Sequence, residues 1–143
     1  MRPTVSSELP SRLRLAVVRT ARRLRQEADG GLSPSLTAAL STIERSGPLT
    51  PSRLAELERV QRPTATRLVA RLEQDGLVVR ESDLSDGRVS HVRLSSEGTR
   101  LLKRLRSRKN AYLAKRLRGL DEDDLATLER ATEILERILE DRE

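Results

Sequence analysis

The stretch LAELERVQRPTATRLVARLEQDGLV, Leu54 to Val78, decides the fold through its punctuation. Leu54, Leu57 and Val60 recur at helical spacing behind Thr50-Pro51, a capping residue followed by proline at the first helical position. Gln61-Arg62-Pro63 breaks that pattern and restarts it, now with Ala65, Leu68, Val69 and Leu72 on the inward face. Asp75-Gly76 ends the second helix, because glycine takes the left-handed C-cap conformation without a Cβ penalty. The period then changes from helix to strand. Leu77-Val78-Val79 is a short β-branched run, Ser82–Gly87 is polar and holds the hairpin signal Asp86-Gly87, and Val89–Leu94 alternates with Ser90, Val92 and Leu94 on one face. Short helix, turn, helix, hairpin is the order of a winged helix-turn-helix.

Working outward, Ser33-Pro34 repeats the cap-and-proline device and opens a helix with Leu36, Ala39, Leu40 and Ile43 inward, closed by Ser46-Gly47-Pro48. Before it, Leu13, Ala16, Val17, Thr20, Ala21 and Leu24 keep helical spacing up to Gly30-Gly31, and Met1–Pro10 reads as a frayed arm. After the hairpin, Ser96-Glu97-Gly98 opens a long helix with Leu101, Leu102, Leu105, Tyr112, Leu113 and Leu117 as its stripe, broken at Gly119. Asp121, Glu122, Asp123 and Asp124 sit where the positive end of a last helix dipole favours anions, ahead of Leu125, Leu128, Ala131, Leu135, Ile138 and Leu139. The expected architecture is mostly α with a small β-hairpin wing. It has an arm over 1–10, a winged helix-turn-helix over 33–98, and helical segments over 11–32 and 99–143.

Composition narrows the function. Tyr112 is the sole aromatic residue, so the core must be aliphatic, which suits helix-on-helix packing. Cysteine is absent, and His91 is the only histidine, so disulfides, thiolate redox chemistry and a zinc site all lack ligands. There is no glycine-rich phosphate loop and no catalytic constellation, so an enzyme and a bound cofactor are not expected. No apolar run approaches membrane-spanning length, which reads as a cytoplasmic, nucleoid-associated protein without a membrane partner. A net charge of +6 points to a polyanionic partner. Thr99–Gly119 carries +9 and Leu120–Glu143 carries −7. These two segments either neutralise one another or are solvated faces, which leaves the remaining basic excess in the first two-thirds of the chain.

From Leu54 onward the residues resemble the MarR family of winged helix-turn-helix regulators. Leu54-Ala55-Glu56, Val60, Pro63–Val69 and Leu72–Val78 follow that family's helix-turn-helix pattern, and Asp86-Gly87-Arg88 with the strand after it resembles the family's Asp-x-Arg wing. Leu32-Ser33-Pro34 and Gly47-Pro48-Leu49-Thr50 also fit. Four positions depart from the pattern. Arg59 stands where the family often has a turn glycine, and Gln61 where a small cap is usual, so the turn is expected to be looser with its outer side near DNA. Leu57 and Glu58 look exchanged, which rotates the apolar face of the short helix.

The resemblance implies double-stranded DNA as partner, a homodimer, a pseudo-palindromic operator and a repressor. The second helix of a helix-turn-helix enters the major groove, and its outward face here offers Arg62, Thr66, Arg67 and Arg71, with Gln61 and Thr64 at its start. Arg62 and Arg67 have the fork that matches guanine O6 and N7, and the threonines suit phosphate or a thymine methyl. The plain alternative is a set of solvated side chains. Arg88 in the wing suits a narrow minor groove, and Asp86 either orients Arg88 or forms the turn, two compatible roles. His91 reads as ordinary surface. The stripes of the first and last helices, with Leu13, Val17, Leu125, Leu128, Leu135 and Ile138, imply a dimer interface, against the alternative of an intramolecular bundle. The resemblance also implies a small-molecule effector, whose pocket would be lined by Arg19, Leu36, Leu40 and Tyr112. Two other classes stay open: a sequence-independent architectural DNA binder, and a ligand sensor whose DNA contact is secondary.

Overall fold

The computed structural model describes residues 4–28 and 30–140. Along the chain run α1 (Leu9–Glu27), α2 (Pro34–Ser46), α3 (Pro51–Glu58), α4 (Arg62–Gln74), β1 (Val78–Ser82), β2 (Ser90–Leu94), α5 (Ser96–Leu117) and α6 (Glu122–Leu139). The chain divides into two compact units, Met1–Lys109 and Asn110–Glu143.

In the first unit the caps behave as the sequence requires. Ser33 Oγ accepts from the Leu36 amide at 3.3 Å and Thr50 Oγ1 from the Arg53 amide at 3.1 Å, each followed by proline in the first turn. Pro10 fits the first turn of α1 in the same way, so helix begins at Leu9, inside the stretch expected as a frayed arm; residues 1–3 of that arm lie outside the described residues. α1 also stops short of Gly30-Gly31. Ala28 leaves helical geometry (φ −120°, ψ 37°) and is buried in the core.

Packing corrects the expectation for the short helix. α3 buries Leu54 and Ala55, whereas Leu57, expected inward, is exposed. Glu58 takes the inner position because Thr42 of α2 is buried and its hydroxyl needs an acceptor, which the Glu58 carboxylate supplies. α4 buries Ala65, Val69 and Leu72 with Leu68 half-buried, as its period predicts. Its end is closed by the Leu77 amide bonding to Leu72 O at 2.9 Å, with Gly76 left-handed at φ 73°.

β1 and β2 pair antiparallel, Val78 opposite Leu94 and Ser82 opposite Ser90. Leu49, between α2 and α3, adds a bridge on the other edge of β2: its amide donates to Val92 O at 3.1 Å and its carbonyl accepts from the Val92 amide at 2.8 Å. Val92 and Val78 thereby join Leu40, Ile43, Leu54, Val69, Leu72 and Leu102 in one aliphatic core. α5 is bolted to the base of the hairpin. The Ser95 amide donates to Leu77 O at 3.0 Å, Ser95 Oγ donates to Gly76 O at 2.6 Å and accepts from the Gly98 amide at 3.1 Å. Gly98 lies so close to the residue before β1 that a Cβ there would sit 2.1 Å from Leu77 O.

α1 buries none of its residues: Leu13 is 37% and Val17 48% exposed. In the second unit, α6 is capped by Asp121, whose carboxylate accepts from the Asp124 amide at 2.8 Å, with Glu122, Asp123 and Asp124 in its first turn. Ala131 and Leu135 are half-buried, while Leu125, Leu128 and Ile138 are exposed. The Arg116 guanidinium sits 5.3 Å from the Tyr112 ring centre. No helix among the described residues is long and apolar enough to cross a membrane.

Candidate nucleic-acid interface

Burying Ala65, Val69 and Leu72 turns the opposite face of α4 to solvent, and that face carries Arg62, Thr66, Arg67 and Arg71, all exposed. Thr64 is half-buried, and Gln61 is exposed at the N-cap, where its side chain makes no cap bond. Pro63 has no N–H, so the Arg62 and Thr64 amides are the first-turn donors that Gln61 leaves uncapped. The face is partly preset. Arg67 donates to Thr64 Oγ1 at 3.4 Å, Arg71 pairs with Asp75 at 3.1 Å, and the Thr66 hydroxyl is turned back to Arg62 O at 3.0 Å. These are exposed, weak contacts, so the arginines can exchange them for a stronger anionic acceptor at little cost.

In the wing, Asp86 takes both of its expected roles. Its Oδ1 accepts from the Arg88 amide at 3.0 Å, closing the turn, and from Arg88 Nε at 3.2 Å, aiming a guanidinium that is 92% exposed. The sequence reading missed what holds the loop from Asp83 to Val89. Asp83 Oδ1 accepts from the Ser85 hydroxyl and from the amides of Ser85 at 2.8 Å and Asp86 at 3.2 Å, while Oδ2 faces His91 Nε2 at 2.8 Å. The Ser85 hydroxyl foremost, then His91 and the two amides, hold the Asp83 carboxyl well below the usual carboxylate range. His91, expected as bland surface, is half-buried and aimed at this carboxylate. The arrangement is an Asx turn, in which the Asp83 side chain accepts from the amides two and three residues on. Ion pairs brace the wing from both sides, Arg80 to Glu73 of α4 and Arg93 to Glu81 across the hairpin, each at 2.6 Å. Leu84 stands fully exposed beside them.

The first unit also holds a cavity of about 370 Å³, lined by Arg22, Arg25, Ala28, Leu32, Leu105 and Lys109 among others. Its three cations face an apolar floor. Of the residues expected around a ligand, Leu40 is wholly buried in the core, Leu36 is half-buried against it, Arg19 is exposed on α1, and Tyr112 belongs to the second unit. The cavity lies by the end of α1 and the start of α2, lined by other side chains than these.

A helix-turn-helix whose second helix offers an arginine-bearing face, followed by a braced hairpin that projects Arg88, defines the class of winged-helix DNA-binding proteins. The sequence profile of the MarR family matches residues 32–90. A helix-turn-helix-type transcriptional regulator of Mycobacterium leprae is 36% identical, covering 94% of this chain and 95% of its own. A transcriptional regulator structure from Pseudomonas aeruginosa superposes with a TM-score of 0.85 at 34% identity, covering 96% of this chain and all of that one. The repressor MdtR of Bacillus subtilis is 28% identical over 66% of this chain and 61% of its own length. The chain belongs to the MarR family of DNA-binding transcription regulators.

Proposed function

We propose that two copies of the chain bind a pseudo-palindromic operator, each inserting α4 into the major groove and its wing into the flanking minor groove, and that the bound dimer represses transcription. The observation that carries this is the outward face of α4, where Arg62, Thr66, Arg67 and Arg71 are exposed together, followed in the wing by an Arg88 held by Asp86. In this reading Arg62 and Arg67 read base edges, Gln61, Thr64, Thr66 and Arg71 contact base edges or phosphates, and Arg88 enters the minor groove with Asp86 as its support. The unburied apolar faces of α1 and α6, with Leu13, Val17, Leu125, Leu128 and Ile138 exposed and Leu135 beside them, supply the dimer seam; a lone chain would leave them wet. Segments 11–32 and 99–143 then serve dimerisation. The name of the MdtR relative supports repression.

Selection of duplexes from a random pool tests this. It should return an inverted repeat with half-sites about 10 bp, or a multiple, apart, as two-fold symmetry demands. Arg67→Ala should then cost about 1–3 kcal/mol and relax preference at one or two base pairs, whereas Arg88→Ala weakens binding and changes preference only in A·T-rich flanks. A pool that yields no consensus, with equal losses on random DNA, would establish an architectural binder instead.

One specific observation favours an effector as well. Arg22, Arg25 and Lys109 around an apolar cavity suit a small organic anion. Such a ligand would release DNA by binding one arrangement of the dimer better than the other.

A further inference from the structure

Two helices of the first unit end in the same device, filled by different residues. At the end of α4 the Leu77 amide bonds to Leu72 O at 2.9 Å, the Gly76 amide to Glu73 O at 3.0 Å, and Gly76 is left-handed at φ 73°. At the end of α3 the Val60 amide bonds to Ala55 O at 3.0 Å, the Arg59 amide to Glu56 O at 3.2 Å, and Arg59 is left-handed at φ 53°. The closing bonds and the handedness agree. Glycine takes this conformation freely, while any other L residue presses its Cβ toward the following carbonyl. Among the described residues Arg59 is the one non-glycine with positive φ. The chain therefore uses glycine where only the cap is needed, and accepts strain where an arginine stands. Strain of this kind persists where a side chain has work to do.

The placement indicates which work. Arg59 is exposed in the turn between α3 and α4, three residues before Arg62. In a helix-turn-helix the first residues of the second helix reach base edges, and the turn ahead of them stands at the rim of the groove, where phosphates are. A delocalised guanidinium suits a phosphate and stays charged. We infer that Arg59 is a further DNA contact of this protein, binding a backbone phosphate at the edge of the groove that α4 enters. The inference rests on the orientation of α4 proposed above.

The test compares Arg59→Gly and Arg59→Lys by fluorescence anisotropy, on the selected operator and on an unrelated duplex, from 50 to 300 mM salt. One phosphate contact contributes about 0.9 to the slope of log affinity against log salt, about 1.8 for a dimer, and roughly eightfold in affinity per subunit at 0.1 M relative to 1 M. Arg59→Gly should lose that much on both duplexes alike and should melt at the same temperature or up to about 4 °C higher, because strain is relieved. Arg59→Lys keeps the charge and the strain, so it should retain most of the slope. A purely intramolecular role for Arg59 gives the opposite pattern, a lower melting temperature with unchanged DNA affinity, and would overturn the inference. So would a loss confined to the operator, which means a base contact. Arg67→Ala and Arg88→Ala run alongside. If they too leave binding unchanged, the orientation of α4 is at fault rather than Arg59 alone.

Discussion

Gly98→Ala tests the joint between wing and long helix. A Cβ at Gly98 would lie 2.1 Å from Leu77 O, and 3.1 Å from its carbonyl carbon. Both are backbone atoms of Leu77, whose carbonyl accepts from the Ser95 amide and whose own amide is bonded to Leu72 O, so neither can swing away. α5 must retreat by about 1 Å to restore ordinary contact, and overpacking of this kind costs about 1–3 kcal/mol. That retreat stretches two bonds across the joint, Ser95 N–H to Leu77 O and Ser95 Oγ to Gly76 O, which contribute about 1 kcal/mol each. Alanine returns about 1 kcal/mol through its better helix propensity. The balance is a loss of about 2–4 kcal/mol, or a fall in melting temperature on the order of 10 °C for a chain of this size. Urea titration at a fixed protein concentration measures it, since a dimer's apparent stability depends on concentration. Gly87→Ala is the control: nothing lies within 4 Å of a Cβ there, and its stability should match the wild type. Should Gly98→Ala unfold at the same urea concentration as Gly87→Ala, the close approach of α5 to the wing base is wrong, and with it the account of how the hairpin is held.

Ile138→Asp changes a side chain that is 64% exposed in the single chain, so it should leave the fold intact yet halve the sedimenting mass at micromolar concentration; an intact dimer would remove α6 from the seam. The Asp83 carboxyl is depressed in the folded wing, so its support is complete above the ordinary carboxylate pKa of about 3.9 and is lost as pH falls through the lower folded value. Exchange of the Ser85 and Asp86 amides should accordingly be protected equally from about pH 8 to 4.5 once corrected for intrinsic rates, and Asp83→Asn should loosen them throughout that range; unaltered protection in the variant would contradict the assignment. Diamide should leave operator binding untouched because the chain has no cysteine, whereas a small organic acid that releases the operator should lose its effect in Arg22→Ala or Arg25→Ala; release by diamide would disprove the first expectation, and an unchanged response in both variants the second.

Elements whose bounds depend on local chemistry were legible in the sequence. Ser33-Pro34 and Thr50-Pro51 fix the starts of α2 and α3, Gly76 fixes the end of α4, and the outward face of α4 follows once Ala65, Val69 and Leu72 go inward. Periodicity alone misplaced Leu57, because the choice between it and Glu58 is made by Thr42, sixteen residues away on another helix. A buried hydroxyl outweighs one leucine: leaving it without an acceptor costs about 1–3 kcal/mol, comparable with the gain from burying a half-exposed side chain. The bridge from Leu49 to Val92 was invisible for the same reason, since one residue has no period.

The candidate site divides along the same line. Arg62, Arg67, Arg71, Asp86 and Arg88 were legible as the outward set, since each position follows from helix phase or from a four-residue turn. His91 was not, because its role is set by a partner on the opposite side of a loop. In strand phase it falls beside Arg93, facing away from buried Val92, which describes a surface residue. The loop then folds back until Asp83 Oδ2 meets its Nε2, and the same carboxylate collects two amides and a hydroxyl. A wing so fixed loses less conformational entropy on entering a groove than a free loop would, and most of the saving falls at Arg88, whose amide and guanidinium are already held by Asp86. The two carboxylates that preorganise the proposed contact at Arg88, Asp83 and Asp86, thus lie three residues apart in sequence. Only the second of these carboxylates is recognisable by motif; the first acts through the loop it closes.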